Sequence, residues 1–205
     1  MNTEFLSSQT RINLMRSFAG ESQARNRYTF AQQIALQNNM YIISRIFKIT
    51  ADEEKAHAEV FYNLLNDSNE KDIEITAGYP VNVYNDVQNL LSSSVNNEKN
   101  ENTIIYPQFA EIATQEGFTK AASKFKLIAE IEDFHRKRFE YYVDLLKNDM
   151  LFRSDKTEKW RCLNCGHIHE SSEAPLSCPV CSKNQGYFIR IDEAPFIGGG
   201  LICQD

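Results

Sequence analysis

Four stretches within roughly the first 150 residues repeat apolar positions at alternating steps of three and four, the period of a helix with one buried face. The first stripe is Leu14, Ser17, Glu21, Ala24, Tyr28, Ala31 and Ala35. The second is Ile43, Phe47, Thr50, Glu54, His57, Phe61 and Leu64. A third runs through Val87, Leu91, Ser94, Glu98, Glu101, Ile105, Phe109 and Ile112, and a fourth through Ala121, Phe125, Ile128, Glu132, His135, Phe139, Tyr142 and Leu146. Each stripe predicts a long amphipathic helix. Each also places a carboxylate in the middle of the face that the pattern buries.

The connections set the topology. A short polar turn at Gln37-Asn38-Asn39-Met40 makes the first two helices antiparallel neighbours. At Glu116-Gly117-Phe118-Thr119, Gly117 reads as a helix stop and Thr119 as the N-cap of the fourth helix. Between helices two and three lies a longer segment, Asp67 to Val83, containing Gly78 and Pro80. About 17 extended residues reach about 55 Å, against about 45 Å for a 30-residue helix, so this segment is long enough to return along the whole bundle. Two helical hairpins joined by one long crossover form the ferritin-like arrangement, and an all-α four-helix bundle of that kind is predicted over residues 1–150. Pro107 cannot bond to the carbonyl of Thr103 and predicts a kink, with the apolar stripe continuing in register to Ile112.

After about Arg153 the periodicity stops. Residues 151–191 read as a small β/loop domain too short to fold on apolar burial alone, so a metal must supply much of its stability. Residues 192–205, with Gly198-Gly199-Gly200 and Cys203, form a tail without readable periodicity.

Composition narrows the partners. The 205 residues are 42% hydrophobic and 24% charged, ordinary for a globular protein. The net charge of -6 divides into -5 before Arg153 and -1 from there on, so neither part offers the basic stripe that nucleic acid requires. No apolar run approaches membrane-spanning length, and Met1-Asn2-Thr3-Glu4 does not begin a secretory leader; a cytoplasmic location is expected. All five cysteines follow residue 160, and in such a compartment paired CxxC motifs read as a metal site instead of disulfides.

The candidate chemistry begins at Glu54-x-x-His57, a carboxylate and an imidazole on one helical face. Alone, that pair arises often by chance. It recurs as Glu132-x-x-His135, which places two of the chain's four histidines in one pattern. Burying an unpaired carboxylate costs several kcal/mol, and a domain's whole stability is about 5–15 kcal/mol, so cations must compensate the buried set. Glu21 and Glu98 from two helices, with Glu-x-x-His from the other two, match the ligand pattern of di-iron and di-manganese carboxylate bundles, with Glu101 as one carboxylate more. Oxygen-rich ligation with a few imidazoles suits iron or manganese. Cys162, Cys165, Cys178 and Cys181, spaced C-x2-C-x12-C-x2-C, suit one tetrahedral ion. Zinc and iron both use that spacing; a redox centre in the same chain favours iron.

With these segments the chain resembles the rubrerythrin family over nearly its whole length, up to about Arg190. The resemblance rests on Phe18-Ala19-Gly20-Glu21-Ser22-Gln23-Ala24-Arg25, Glu54-Lys55-Ala56-His57, Glu98-x-x-Glu101, Tyr106-Pro107-x-Phe109-Ala110, Glu132-x-x-His135 and the cysteine quartet. It implies a ferritin-like di-iron domain followed by a rubredoxin-like domain with one Fe(Cys)4 iron. Reduction of hydrogen peroxide to water in oxidative-stress defence is the implied activity, with NAD(P)H as ultimate donor through a separate reductase or rubredoxin. It further implies a homodimer or higher homo-oligomer, with the rubredoxin-like domain of one chain near the di-iron site of another. Residue by residue, Glu54 and Glu132 would bridge the irons, Glu21 and Glu98 would be terminal carboxylates, and His135 a fixed ligand. Glu101 and His57 would exchange on one iron between redox states, and Tyr28 and Tyr106 would hydrogen-bond ligand carboxylates. His167 stands where an aromatic residue is common in the knuckle; it and His169 read most simply as polar surface residues. Two readings compete with the peroxidase: iron oxidation and storage, as in ferritins, and a metal or redox sensor carrying a structural zinc ribbon.

Overall fold

The first long helix is secured at its start by three acceptors. Ser8 caps α2 (Gln9–Gln37), its hydroxyl accepting from the Arg11 N–H at 3.1 Å. The Glu116 carboxylate, far along the chain, accepts from the N–H groups of Gln9 at 2.9 Å and Thr10 at 2.8 Å. These are the orphan donors that any helix start must satisfy. A short α1 (Thr3–Leu6) precedes α2, and α3 (Tyr41–Leu64) returns beside it after a turn in which Asn39 adopts φ 58°. The computed structural model describes residues 3–69 and 71–193; Cys203 and the Gly198–Gly200 run lie outside the described residues.

The crossover runs as expected. Arg11 Nη2 donates to the Asp72 carbonyl, Arg16 Nε to that of Thr76 and Asn38 Nδ2 to that of Asn85, so the strand-free strap follows α2 from its first turns to its last. Asp86 then caps α4 (Val87–Asn100) by accepting from the Asn89 N–H at 2.8 Å.

The third predicted helix departs from expectation. After α4 comes a π-helical stretch, Glu101–Ile105, and then α5 (Tyr106–Gln115). Tyr106 donates its N–H to the Glu101 carbonyl, five residues back. The chain accommodates Pro107 by widening the preceding turn, and the wider turn absorbs one extra residue. The buried stripe therefore shifts by one: Tyr106, Ala110 and Ala113 are buried where Ile105, Phe109 and Ile112 were expected. The fourth predicted helix is α6 (Thr119–Lys147). Gly117 does stop α5, at φ +83°, but Phe118 occupies the cap position with no side-chain bond, so Thr119 is the first helical residue and not the N-cap.

The bundle core divides into two aromatic layers with a polar centre between them. One contains Tyr28, Phe47 and Phe139, with centroids 5.2 to 6.0 Å apart. The other contains Phe61, Tyr106 and Phe125, with centroids 5.2 to 6.1 Å apart. Burying each such ring contributes about 1.5–3 kcal/mol, and the layers bracket the charged residues.

The C-terminal module is a three-stranded antiparallel sheet ordered β2-β1-β3, from β1 (Arg153–Cys162), β2 (Ile168–Glu173) and β3 (Phe188–Arg190). Its core is Trp160, Cys162, Ala174, Cys178 and Phe188. Tyr187 stacks on Tyr41 at 4.1 Å, and Ile189 enters the bundle core.

Candidate metal centres

The helical faces bring the predicted carboxylates and imidazoles to one point. Glu21, Glu54, Glu98, Glu132 and His135 are at most 1% exposed and His57 is 6% exposed. Two groups of four potential ligands form, each with its ligand atoms within 4.8 Å of one another: Glu21, Glu54, His57 and Glu132, and Glu54, Glu98, Glu132 and His135. Glu54 and Glu132 belong to both. Glu101 belongs to neither; it is half-buried on the π-helical stretch and lines a cavity of about 440 Å³ between that stretch, α2 and the strap.

The orientation of the ligand atoms tests whether metal fits. Glu21 Oε2, Glu54 Oε1, Glu98 Oε2, both oxygens of Glu132 and His135 Nδ1 are buried without a hydrogen-bond partner. The second oxygens of the two flanking carboxylates are occupied: Tyr106 donates its hydroxyl to Glu21 Oε1, and Tyr28 donates to Glu98 Oε1. Orphaned buried polar atoms are costly, and six of them converging on one space suit cations. The shift of register at the π-helical stretch brings Tyr106 into this arrangement, since an unbroken α-helix would present Ile105.

Electrostatics agrees. Burial, followed by the charge of Glu54, pushes the Glu21 and Glu98 carboxyls well above their usual range, and burial with the charge of Glu98 does so for Glu101. Glu54 is lowered, because contacts with His135 and His57 outweigh its burial. Burial pulls His57 down, yet Glu132 and Glu54 raise it to about 9; Glu132, Glu53 and Glu54 likewise raise His135 against its burial.

One participant was not among the predicted residues. Glu53 Oε2 lies 3.1 Å from His135 Nε2, on the side of the ring away from the cluster. Arg138 holds that carboxylate through both guanidinium ends and donates to Thr50 Oγ1 at 2.9 Å. Burial would raise the Glu53 carboxyl, but contacts with His135 and Arg138 lower it to about 2. Within Asp52-Glu53-Glu54-Lys55 its charge reads as solvated; its spacing of three from the buried Thr50 was the available signal.

The four cysteines converge separately. Their sulfurs lie within 4.8 Å of one another, with Cys162–Cys181 at 3.7 Å and Cys165–Cys178 at 3.6 Å. Backbone N–H groups point at the sulfurs: that of Lys183 lowers Cys181 to about 6, and that of His167 bonds Cys165. His167 is half-buried with Nε2 unpartnered, so the plain surface reading does not hold for it. His169 is also partly buried and joins neither cluster.

Fold and sites together define a ferritin-like di-metal carboxylate protein carrying a tetrathiolate module. A family model described as Rubrerythrin matches residues 13–142, and one described as Rubrerythrin, rubredoxin-like domain matches residues 160–189. The chain is 41% identical to rubrerythrin of Clostridium perfringens over 182 residues, covering 88% of this chain and 93% of that protein. It is 40% identical to rubrerythrin of Nitratidesulfovibrio vulgaris over 181 residues, covering 88% and 93%. Among solved structures, partially reduced nigerythrin matches with a TM-score of 0.60 at 26% identity, covering 90% of each chain. The chain belongs to the rubrerythrin family, di-iron oxidoreductases with a rubredoxin-like Fe(Cys)4 domain. No helix among the described residues is long and apolar enough to cross a membrane.

Proposed function

We propose that this chain reduces hydrogen peroxide to water at the Glu/His cluster, with electrons entering through the four-cysteine site: H2O2 with two electrons and two protons gives two waters. The observation that carries this reading is the pair of four-ligand groups sharing Glu54 and Glu132. Two ferrous ions, for which Glu21, Glu54, His57, Glu98, Glu132 and His135 would be the ligands, would supply the two electrons that this reaction consumes. Glu54 and Glu132, common to both groups, would hold both ions; Glu21 and Glu98 would each hold one, and His135 would be the permanent imidazole. Glu101 and His57 would alternate as ligands of one ion; His57 lies inside the cluster and Glu101 outside it, beside an open cavity, which supports an exchange between them. Tyr28 and Tyr106 orient the terminal carboxylates by donating to them.

In this reading residues 1–150 form the di-iron domain and residues 151–191 the electron-transfer domain, in which Cys162, Cys165, Cys178 and Cys181 hold one iron. A cytoplasmic homodimer supplied by NAD(P)H through a reductase or rubredoxin completes the assignment, in defence against peroxide.

The test is stopped-flow mixing of reduced, iron-loaded protein with peroxide and, separately, with dioxygen. Rapid reoxidation by peroxide and slower reoxidation by dioxygen are expected; a sample that peroxide leaves reduced overturns the reading. Cys178→Ser is expected to stop steady-state turnover while the chemically reduced cluster still reacts with peroxide. Glu101→Ala should retain iron and turn over more slowly.

A further inference from the structure

The cluster holds two imidazoles in similar settings, and the fold treats them differently. Both present Nδ1 to the carboxylates. His57 Nδ1 lies 2.9 Å from Glu132 and 3.2 Å from Glu54, and His135 Nδ1 lies 2.8 Å from Glu132 and 3.1 Å from Glu54. The rings are nearly parallel, 19° apart in plane with centroids 5.5 Å apart.

Behind the rings the symmetry ends. His135 Nε2 faces Glu53 at 3.1 Å, although not in line for a straight hydrogen bond. Glu53 is itself anchored by Arg138, which sits one turn along α6 from His135, and Arg138 is anchored in turn by the fully buried Thr50. Thr50 donates to the Ile46 carbonyl at 3.0 Å, which ties the chain of contacts to the backbone of α3. All three carboxylate contacts of His57 fall on Nδ1, so no carboxylate among the described residues stands behind it.

We infer that Glu53, braced by Arg138, is a positioning residue for His135, and that the lack of such a brace behind His57 makes His57 the imidazole free to leave. The inference rests on the di-metal reading above. Its physical basis is that a metal on Nδ1 leaves the imidazole proton on Nε2, where a fixed carboxylate both sets the tautomer and resists rotation of the ring. A ring without that second contact is retained only by its metal bond and its packing. The brace comes from α3 and α6, whose metal ligands it reinforces, and it faces a cavity of about 580 Å³ beside Leu163 and Ile189 of the C-terminal module.

Cobalt(II) is the probe, added without oxygen to metal-free full-length protein. Paramagnetic proton NMR in water then reports the Nε2–H of each metal-bound imidazole as a shifted, exchangeable signal. The wild type is expected to bind two ions at the cluster and to show one slowly exchanging imidazole proton, from His135. Any proton from His57 should exchange fast. In Glu53→Ala the slow signal should become fast, and affinity at one of the two positions should fall about 10–100-fold. Glu53→Gln, which keeps an acceptor, should restore slow exchange. Arg138→Met, which removes the brace without touching the ring, should give an intermediate rate and guards against a folding defect in Glu53→Ala. An unchanged slow signal in both Glu53→Ala and Arg138→Met overturns the inference while leaving the di-metal reading intact. A wild-type cluster without shifted imidazole protons overturns the di-metal reading and the inference with it.

Discussion

At the residue scale, the two tyrosines divide the work of each flanking carboxylate. One oxygen of Glu21 is held by Tyr106 and the other is free to face a cation; Glu98 and Tyr28 repeat the arrangement. Removing the Tyr106 hydroxyl leaves a buried acceptor unmatched, at a cost of about 1–3 kcal/mol, and frees the carboxylate to rotate. Tyr106→Phe is therefore expected to weaken metal binding about 10–100-fold with the fold retained. A calorimetric metal titration with affinity equal to wild type would count against this role. The ligands were legible because a glutamate at stripe spacing among phenylalanines has only one inexpensive explanation, compensation by cations. Glu53 was not legible, because it lies beside a stripe residue within an acidic run, and its partner Arg138 is 85 positions away in sequence.

At the element scale, the stripes placed three of the four predicted helices correctly, in α2, α3 and α6, but carried the third predicted helix one residue out of register beyond Glu101. Periodicity reads only the average turn, and a single widened turn ahead of a proline leaves no apolar signature of its own. The start of α2 shows a second long-range dependence, since two of its orphan N–H groups are satisfied by Glu116 from the end of α5. Burial raises the Glu116 carboxyl, but the Thr10 hydroxyl and the Gln9 and Thr10 N–H groups lower it by more. The folded protein therefore prefers the ionised form. That contribution is present above the unfolded pKa of about 4.3 and is lost as pH falls through the lower folded value. Glu116→Ala is expected to cost about 1 kcal/mol at neutral pH, at the modest end for a cap because the group is largely solvated. Thermal melts of the two proteins should converge as pH is lowered through that range. A gap that stayed constant into acid would show that packing, and not the charged cap, accounts for the loss.

At the scale of the whole molecule, the electron-transfer reading requires the cysteine module to be held in register with the bundle, and the contact that holds it turns on Gly186. A Cβ at that position would lie 1.8 Å from the Asn39 carbonyl oxygen and 3.1 Å from Asn184 Oδ1, and the first of these is backbone that cannot yield as a side chain would. Around it, Asn184 Nδ2 donates to Asn39 Oδ1 at 3.1 Å, Tyr187 stacks on Tyr41, and Ile189 packs with Ile42 in the bundle core. Gly186→Ala must therefore move the module away from the turn between α2 and α3, disturbing all three contacts together. The cysteine site itself is organised by Trp160, Phe188 and the backbone N–H groups of its own loops, so its iron–thiolate absorption should survive. Two measurements follow: limited proteolysis between Lys147 and Arg153 should speed up, and electron delivery from the Fe(Cys)4 iron to the cluster should slow, with the chemically reduced cluster still consuming peroxide at the wild-type rate. Unchanged proteolysis would mean that the module is not anchored through this contact. Accelerated proteolysis with undiminished electron delivery would place the working route between chains, where another subunit's module supplies the electrons.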